Sequence, residues 1–359
     1  MLLLACGLVL CWMVIRRRYI LPTPADEIHH APASDGWLLA LYRYRPKVAH
    51  PGREPVLLCH GMLSNRFNVD LDEEVSLARH LRDAGFDAWV MELRGHGGSV
   101  RREGQRSGGY DWTLDDYILN DLPAAVAHVL RTTGARQAHY FGHSMGGMIL
   151  YGHCAAQADT GWCRSAVLTD APATFGPLRR RARIGRLYAK IFPVVPPLLV
   201  LPFLTPVAWL LPELMGRVYG LNGRRLNMLV LSNAIIPWGS SRVLEQICRM
   251  LESGHMRSCD GRINYETGPS RMRFPLMVVA VAGRRVLEDS VRFGYERAGG
   301  SQREYLRMTQ FTHSNLLVGE RAPLDLFPQI AGWFERHSSG SGAAARGLTA
   351  LYQPGRQPL

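Results

Sequence analysis

The chain has 359 residues, 47% hydrophobic and 20% charged, the proportions of a folded globular protein and not of a disordered one. That length admits one large α/β domain with an insertion, or two small domains. The net charge of +12 does not by itself indicate nucleic acid: of 42 basic residues only Lys47 and Lys190 are Lys, an arginine skew of compositional origin with no nucleic-acid motif beside it. A basic face toward an anionic membrane is the better functional reading of the charge.

Residues 1–15 are uncharged, and Arg16, Arg17 and Arg18 follow at once. A secretory signal would carry its positive charge before the apolar stretch and a small-residue cleavage site after it, and neither is present. The stretch is shorter than the roughly 20 residues of a spanning helix. It reads as a short anchor or as the end of a longer one starting upstream, the bland alternative being an apolar tail packed on the protein. The arginines would keep the domain that follows on the cytoplasmic side.

Residues 29–46 read as a hairpin with a turn at Ser34-Asp35-Gly36 and a second strand over 37–44. A buried strand over 55–59 ends in His60-Gly61. Helical periodicity over 70–84 places Val75, Leu77, Ala78 and Leu81 on one face. A strand over 86–91 and a helix over 114–131 follow, then a strand over 137–141, a helix over 147–156 and a strand over 164–169. Strands alternating with helices imply a parallel sheet covered on both faces.

The alternation breaks between 172 and 273. Arg179-Arg180-Arg181 opens that region, and residues 191–215 hold six prolines and no charge except Glu213. So many prolines forbid one regular spanning helix, and short helices forming an apolar cap fit better. The sheet resumes at 275–282 and 304–308. A helix over 323–337 closes the domain, and 338–359, rich in Gly, Ser and Ala, reads as a disordered tail. Seven cysteines without paired spacing suggest free thiols, with a Cys248–Cys259 bridge open if the domain is exported. No metal or other cofactor is expected.

Gly142-His143-Ser144-Met145-Gly146 is a G-x-S-x-G pentapeptide between a strand and a helix. A serine on that sharp turn is strained and exposed, and the helix N-terminus behind it favours developing negative charge. An acyl-transfer site also needs an oxyanion hole. Met145 N–H is one donor, and Met62 N–H, at the end of the strand over 55–59, is the natural second. His60 is read as shaping that loop and not as a base. His313, in Phe311-Thr312-His313-Ser314-Asn315 after the last strand, is the general base. Asn315 either holds that loop or solvates a turn, Asp121 is read as structural, and His337 as solvated.

With these parts in place the chain resembles the α/β-hydrolase superfamily, nearest its acid-lipase-like and bacterial lipase/esterase branch. The segments that carry the resemblance are Leu57 through Met62, Ser76 through Leu81, Phe86 through Val90, Glu92-Leu93-Arg94-Gly95-His96-Gly97-Gly98-Ser99, Tyr110 through Thr113, Asp121 through Ala124, the elbow, and His313 through Gly319. It covers roughly residues 30–171 and 274–337. The fold it implies is a mostly parallel central sheet with helices on both faces and an apolar cap between strands 6 and 7. The corresponding units are an N-terminal anchor (1–20), a first core part (21–171), the cap (172–273), a second core part (274–337) and the tail (338–359).

The resemblance implies cofactor-free ester hydrolysis, with Ser144 as nucleophile and His313 as base. The chain departs from the family at the triad acid: three residues after Gly283, where the family commonly keeps it, stands Val286. Asp170, at the end of the preceding strand, is the preferred substitute. Asp289, also readable as the N-cap of a helical run over 290–297, is the alternative, with Glu288 beside it or no acid at all. The expected substrate is a lipophilic ester at a membrane surface. The rivals are an acyltransferase using the same serine and a catalytically degenerate, membrane-associated binding protein. Dehalogenase or epoxide-hydrolase chemistry would need Asp, and polyester-synthase chemistry Cys, at position 144.

Overall fold

The computed structural model describes residues 2–101, 111–157, 159–175, 187, 209–213, 224–234, 240–283 and 285–340. Arg179-Arg180-Arg181, most of the apolar stretch 191–215 and most of the tail fall outside the described residues.

A nine-stranded sheet organises the rest. Its strands are β1 (Glu27–Pro32), β2 (Trp37–Tyr44), β3 (Val56–Cys59), β4 (Ala88–Met91), β5 (Val100–Arg101), β6 (Ala138–His143), β7 (Cys163–Thr169), β8 (Leu276–Val281) and β9 (Arg303–Met308). They lie in the order β1-β2-β4-β3-β6-β7-β8-β9, with β5 paired to β2. From β4 to β9 every pairing is parallel, while β1, β2 and β5 form an antiparallel flank. Strands buried on both faces need apolar residues throughout, and β3, β4, β6 and β8 are buried at every position. Successive side chains feed two cores: Leu57, Trp89, Tyr140 and Leu168 face one, Leu58, Val90, Phe141 and Val167 the other.

The expected helix over 70–84 is shorter. Asp72 Oδ1 accepts the N–H groups of Glu74 (3.0 Å) and Val75 (2.8 Å), which holds residues 72–75 in a turn. The helix α2 (Leu77–Asp83) starts only after Ser76, whose Oγ accepts the Arg79 N–H at 3.0 Å. The two-residue β5 has no periodicity to reveal it. It raises the strand count by one, so the expected cap between strands 6 and 7 corresponds to the segment between β7 and β8. Helix α3 (Arg285–Arg297) begins five residues before the expected run over 290–297, so Asp289 lies within it and is not its N-cap. Cys248 and Cys259 are not joined by a disulfide, which removes the bridge left open above.

The N-terminal helix α1 (Leu2–Tyr19) leaves Leu10, Met13 and Val14 exposed. Among the described residues no helix is long and apolar enough to cross a membrane.

Candidate active site

The parallel register sets three strand ends side by side. Cys59 of β3 pairs with Gly142 of β6, and His143 of β6 with Thr169 of β7. The loops that follow therefore emerge together, at a point where β3 has β4 on one side and β6 on the other. Such crevices at the carboxyl ends of parallel strands are where ligand sites form in open α/β sheets.

Ser144 occupies a left-handed backbone conformation (φ 52°, ψ −114°) between β6 and the helix Met145–Ala156. Its N–H donates to Thr169 O at 2.9 Å. The flanking glycines are there for space. A Cβ on Gly146 would stand 2.6 Å from Cys59 O, and one on Gly142 2.7 Å from the Gly146 carbonyl carbon. The turn can thus tighten until Ser144 stands at the mouth of a cavity, with the helix N-terminus directly behind it.

The loop after β3 is held by His60, which is fully buried. Leu93 N–H donates to its Nε2 (3.3 Å), so Nδ1 carries the proton and donates to Gly61 O (2.8 Å). Burial lowers the His60 pKa to about 3, so the ring is neutral. Both ring nitrogens are occupied by the fold, as expected of a loop-shaping residue. Asn68 Oδ1 accepts the Gly61 N–H at 3.2 Å, and Leu63 adopts a positive φ of 54°. Between them Met62 lines the cavity beside Ser144.

His313 follows β9. Asn315 Oδ1 accepts the Thr312 N–H at 2.6 Å, stapling the loop across the histidine. The His313 Nδ1–H donates to Asp170 Oδ2 at 2.6 Å, which leaves Nε2 available for a proton from elsewhere. Asp170 is fully buried at the end of β7, with a positive φ of 46°. Its other oxygen accepts the Val281 N–H at 3.2 Å.

Asp289 is exposed on α3. Glu288 is committed elsewhere: it accepts from Arg307 Nε (2.6 Å) and from the Gly283 N–H (3.3 Å). Asp121 is also buried and committed, accepting the Arg94 N–H (2.9 Å) and Nε (2.8 Å), with burial raising its pKa to about 6.

Sequence reasoning missed His143 and Asn68. The His143 ring lies 4.7 Å from that of His313, and its Nδ1 bonds to Thr169 Oγ1 at 3.0 Å. Burial, then the proximity of His313, holds its pKa well below the usual histidine range, so it packs there as a neutral ring. For Asn68 the available signal is the cluster of polar residues Ser64, Asn65 and Arg66 directly after Gly61-Met62-Leu63.

Ser144, His313, Met62 and Asn68 line one cavity of about 250 Å³, with Leu63, Val230, Ala234 and Val318 supplying apolar wall. A wider, more open depression of about 800 Å³ lies over the end of β9, lined by Arg307, Phe311, Arg321 and Leu324. It contains neither the serine nor the histidine.

Residues 54–188 match the family described as alpha/beta hydrolase fold. Over 125 residues the chain is 34% identical to Lipase 1 of Drosophila melanogaster, covering 34% of this chain and 28% of that protein. Over 177 residues it is 32% identical to Triacylglycerol lipase 2 of Arabidopsis thaliana, covering 46% of this chain and 41% of that protein. Each match thus spans less than half of the relative's length. Among solved structures, an esterase from Exiguobacterium antarcticum superposes with a TM-score of 0.59 at 13% identity, over 86% of this chain and 99% of that one, a likeness of fold.

Proposed function

We propose that this chain, which has the α/β-hydrolase fold and is related in sequence to lipases, is a serine hydrolase of lipophilic carboxylic esters. One observation carries the reading: Ser144, on its strained elbow, shares a cavity with His313, whose Nδ1 lies 2.6 Å from the buried carboxylate of Asp170. Ser144 Oγ attacks the ester carbonyl while His313 Nε2 takes its proton. The N–H groups of Met62 and Met145 receive the oxyanion. His313 then protonates the leaving alcohol, and water, activated by the same imidazole, releases the acid from the acyl-serine. Asp170 fixes the tautomer and stabilises the imidazolium.

The apolar wall around Ser144 suits an acyl chain. The apolar N-terminal helix with its arginines suits a substrate met at a membrane surface, with the catalytic part on the cytoplasmic side. Asp170 beside His313 supports the catalytic reading over a degenerate binding protein. The test is a fluorophosphonate probe together with hydrolysis of p-nitrophenyl esters of increasing chain length. Wild type should be labelled and active, and Ser144→Ala neither. A Ser144→Ala protein that keeps the full rate overturns the reading. Adding an alcohol acceptor and analysing the products separates hydrolysis from acyl transfer.

A further inference from the structure

Asn233 joins two parts of the molecule that the sequence keeps far apart. Its side-chain Nδ2 donates to Tyr19 O (2.7 Å) at the end of α1, and its Oδ1 accepts the Leu21 N–H (3.0 Å), clamping the chain as it leaves that helix. A third bond, from Nδ2 to Leu229 O (2.9 Å), holds the amide in place. The backbone oxygen of the same residue accepts Asn65 Nδ2 at 2.6 Å, and the next oxygen, on Ala234, accepts Ser64 Oγ at 3.0 Å. Ser64 and Asn65 directly follow Met62-Leu63, and Ser64 and Ala234 both line the catalytic cavity. Arg66 Nη2 adds a second tie, donating to Thr23 Oγ1 at 2.9 Å.

The helix held in this way has an exposed apolar surface: Val9, Leu10, Met13 and Val14 are 37–64% exposed. Its last turn carries Arg16, Arg17 and Arg18, all exposed, and none of them forms an ion pair among the described residues. The helix contacts the segment Arg224–Leu229, to which Pro212 is tied through Asn227 Nδ2 (3.2 Å), and Leu210 and Leu211 beside it are also exposed. An apolar rod ending in a cationic collar matches the layering of an anionic bilayer, hydrocarbon first and phosphate second. Residues 2–15 of α1 would extend about 21 Å, enough to reach past the headgroups into the hydrocarbon.

We propose that α1 enters an anionic bilayer, and that Asn233 fastens it to the oxyanion loop so that the catalytic cavity faces esters resident in that bilayer. The substrate half of this proposal rests on the serine hydrolase reading; the docking half does not. The arginine collar binds lipid phosphates, the apolar helix enters the hydrocarbon, and the Asn233 clamp sets the distance and angle between that bilayer and Ser144.

The test uses the full chain with pure phosphatidylcholine vesicles and with mixed phosphatidylcholine–phosphatidylglycerol vesicles. One long-chain fluorogenic ester is embedded in the vesicles, and one short-chain ester is supplied in solution. Wild type should bind the mixed vesicles roughly a hundredfold more tightly than the pure ones, from three arginines near the surface. Leu10→Glu/Val14→Glu should abolish vesicle binding and lower turnover of the embedded ester by about tenfold or more, leaving the soluble ester at the wild-type rate. Asn233→Ala should still bind vesicles and hydrolyse the soluble ester, yet lose turnover of the embedded one. Wild type that stays off both vesicles overturns the proposal, as does a stable dimer that the glutamates dissolve. Asn233→Ala changing both ester rates together, or neither, overturns the coupling. Wild type that binds mixed vesicles but hydrolyses neither ester supports the docking and rejects the hydrolase reading.

Discussion

Asp170 Oδ2 accepts the His313 Nδ1 proton at 2.6 Å across 143 residues of sequence. The contact follows from register. Asp170 is the first residue after β7, its N–H donates to Val279 O of the neighbouring β8 at 2.7 Å, and its positive φ aims the carboxylate past the strand end toward the loop after β9. The proposed triad is therefore completed from β7 and not from the loop after β8.

Replacing Asp170 with Asn keeps the shape and removes the charge that selects the Nδ1–H tautomer. In p-nitrophenyl ester hydrolysis, Asp170→Asn should lower kcat by about 10³–10⁴-fold with little change in KM. Asp289→Asn, on the exposed side of α3, should run at the wild-type rate. The reverse pattern would move the acid to Asp289 and defeat the assignment made from geometry.

The legibility of these residues tracks how local their determinants are. Ser144 could be read because its strain, its glycines and its helix all lie within a few residues of it. His313 could be read from its place after the last strand. Asp170 could be read as the preferred acid from its place at a strand end, but the choice between it and Asp289 stayed open, since that depends on which strands are neighbours. The Asn65–Asn233 contact spans 168 residues and leaves no periodic trace. The start of α2 was misread because apolar spacing over 70–84 ignores the backbone donors that Asp72 captures.

Asn68 offers a test of the oxyanion loop that leaves nucleophile and base untouched. Its Oδ1 holds the Gly61 N–H one residue before the proposed donor Met62. Asn68→Ala leaves that N–H without its acceptor, at roughly 1–3 kcal/mol. Felt at the oxyanion, this predicts a fall in kcat of about 5–150-fold, with fluorophosphonate labelling of Ser144 slowed but not abolished. An unchanged kcat would show that the loop keeps its geometry without Asn68.

Acid should destabilise the fold through its buried histidines. Burial lowers the pKa of His60 to about 3, His96 to about 4 and His139 to about 3. In the unfolded chain each titrates near the ordinary histidine value of about 6.5. Between pH 6.5 and about 4 the unfolded state therefore binds more protons than the folded one. Stability is full above pH 6.5 and is lost as pH falls through that window. Asp121 acts in the opposite sense, because burial raises its pKa to about 6 and the folded state keeps a proton the unfolded chain gives up. Glu92, also raised by burial, acts in the same sense as Asp121. The histidines outnumber them near pH 5. Urea denaturation at pH 7 and pH 5 should show a net loss, on the order of 2 kcal/mol for each uncompensated histidine. Equal midpoints at the two pH values would mean that these rings are protonated in the fold.

Gly146 links stability to the site most directly, because its missing side chain is what lets the elbow approach β3. A Cβ there would meet Cys59 O at 2.6 Å and His60 O at 3.0 Å, backbone atoms of the end of β3 and of the loop that follows it. Neither can rotate away as a side chain would, so the strand end or the elbow must shift. Gly146→Ala should cost about 1–3 kcal/mol as an overpacked contact, lowering Tm by roughly 2–4 °C for each kcal/mol. The shift also separates Met62 from Ser144, so ester hydrolysis should fall well below the fraction of protein still folded. Gly332→Ala is the matched control. It lies in the helix Phe327–Arg336, where the nearest atom to a new Cβ is the flexible Arg336 Nη1 at 3.5 Å. That variant should keep full activity and gain up to about 1 kcal/mol, as alanine replaces glycine within a helix. If the two variants melt and turn over alike, the close approach at Gly146 is not what holds Ser144 against β3.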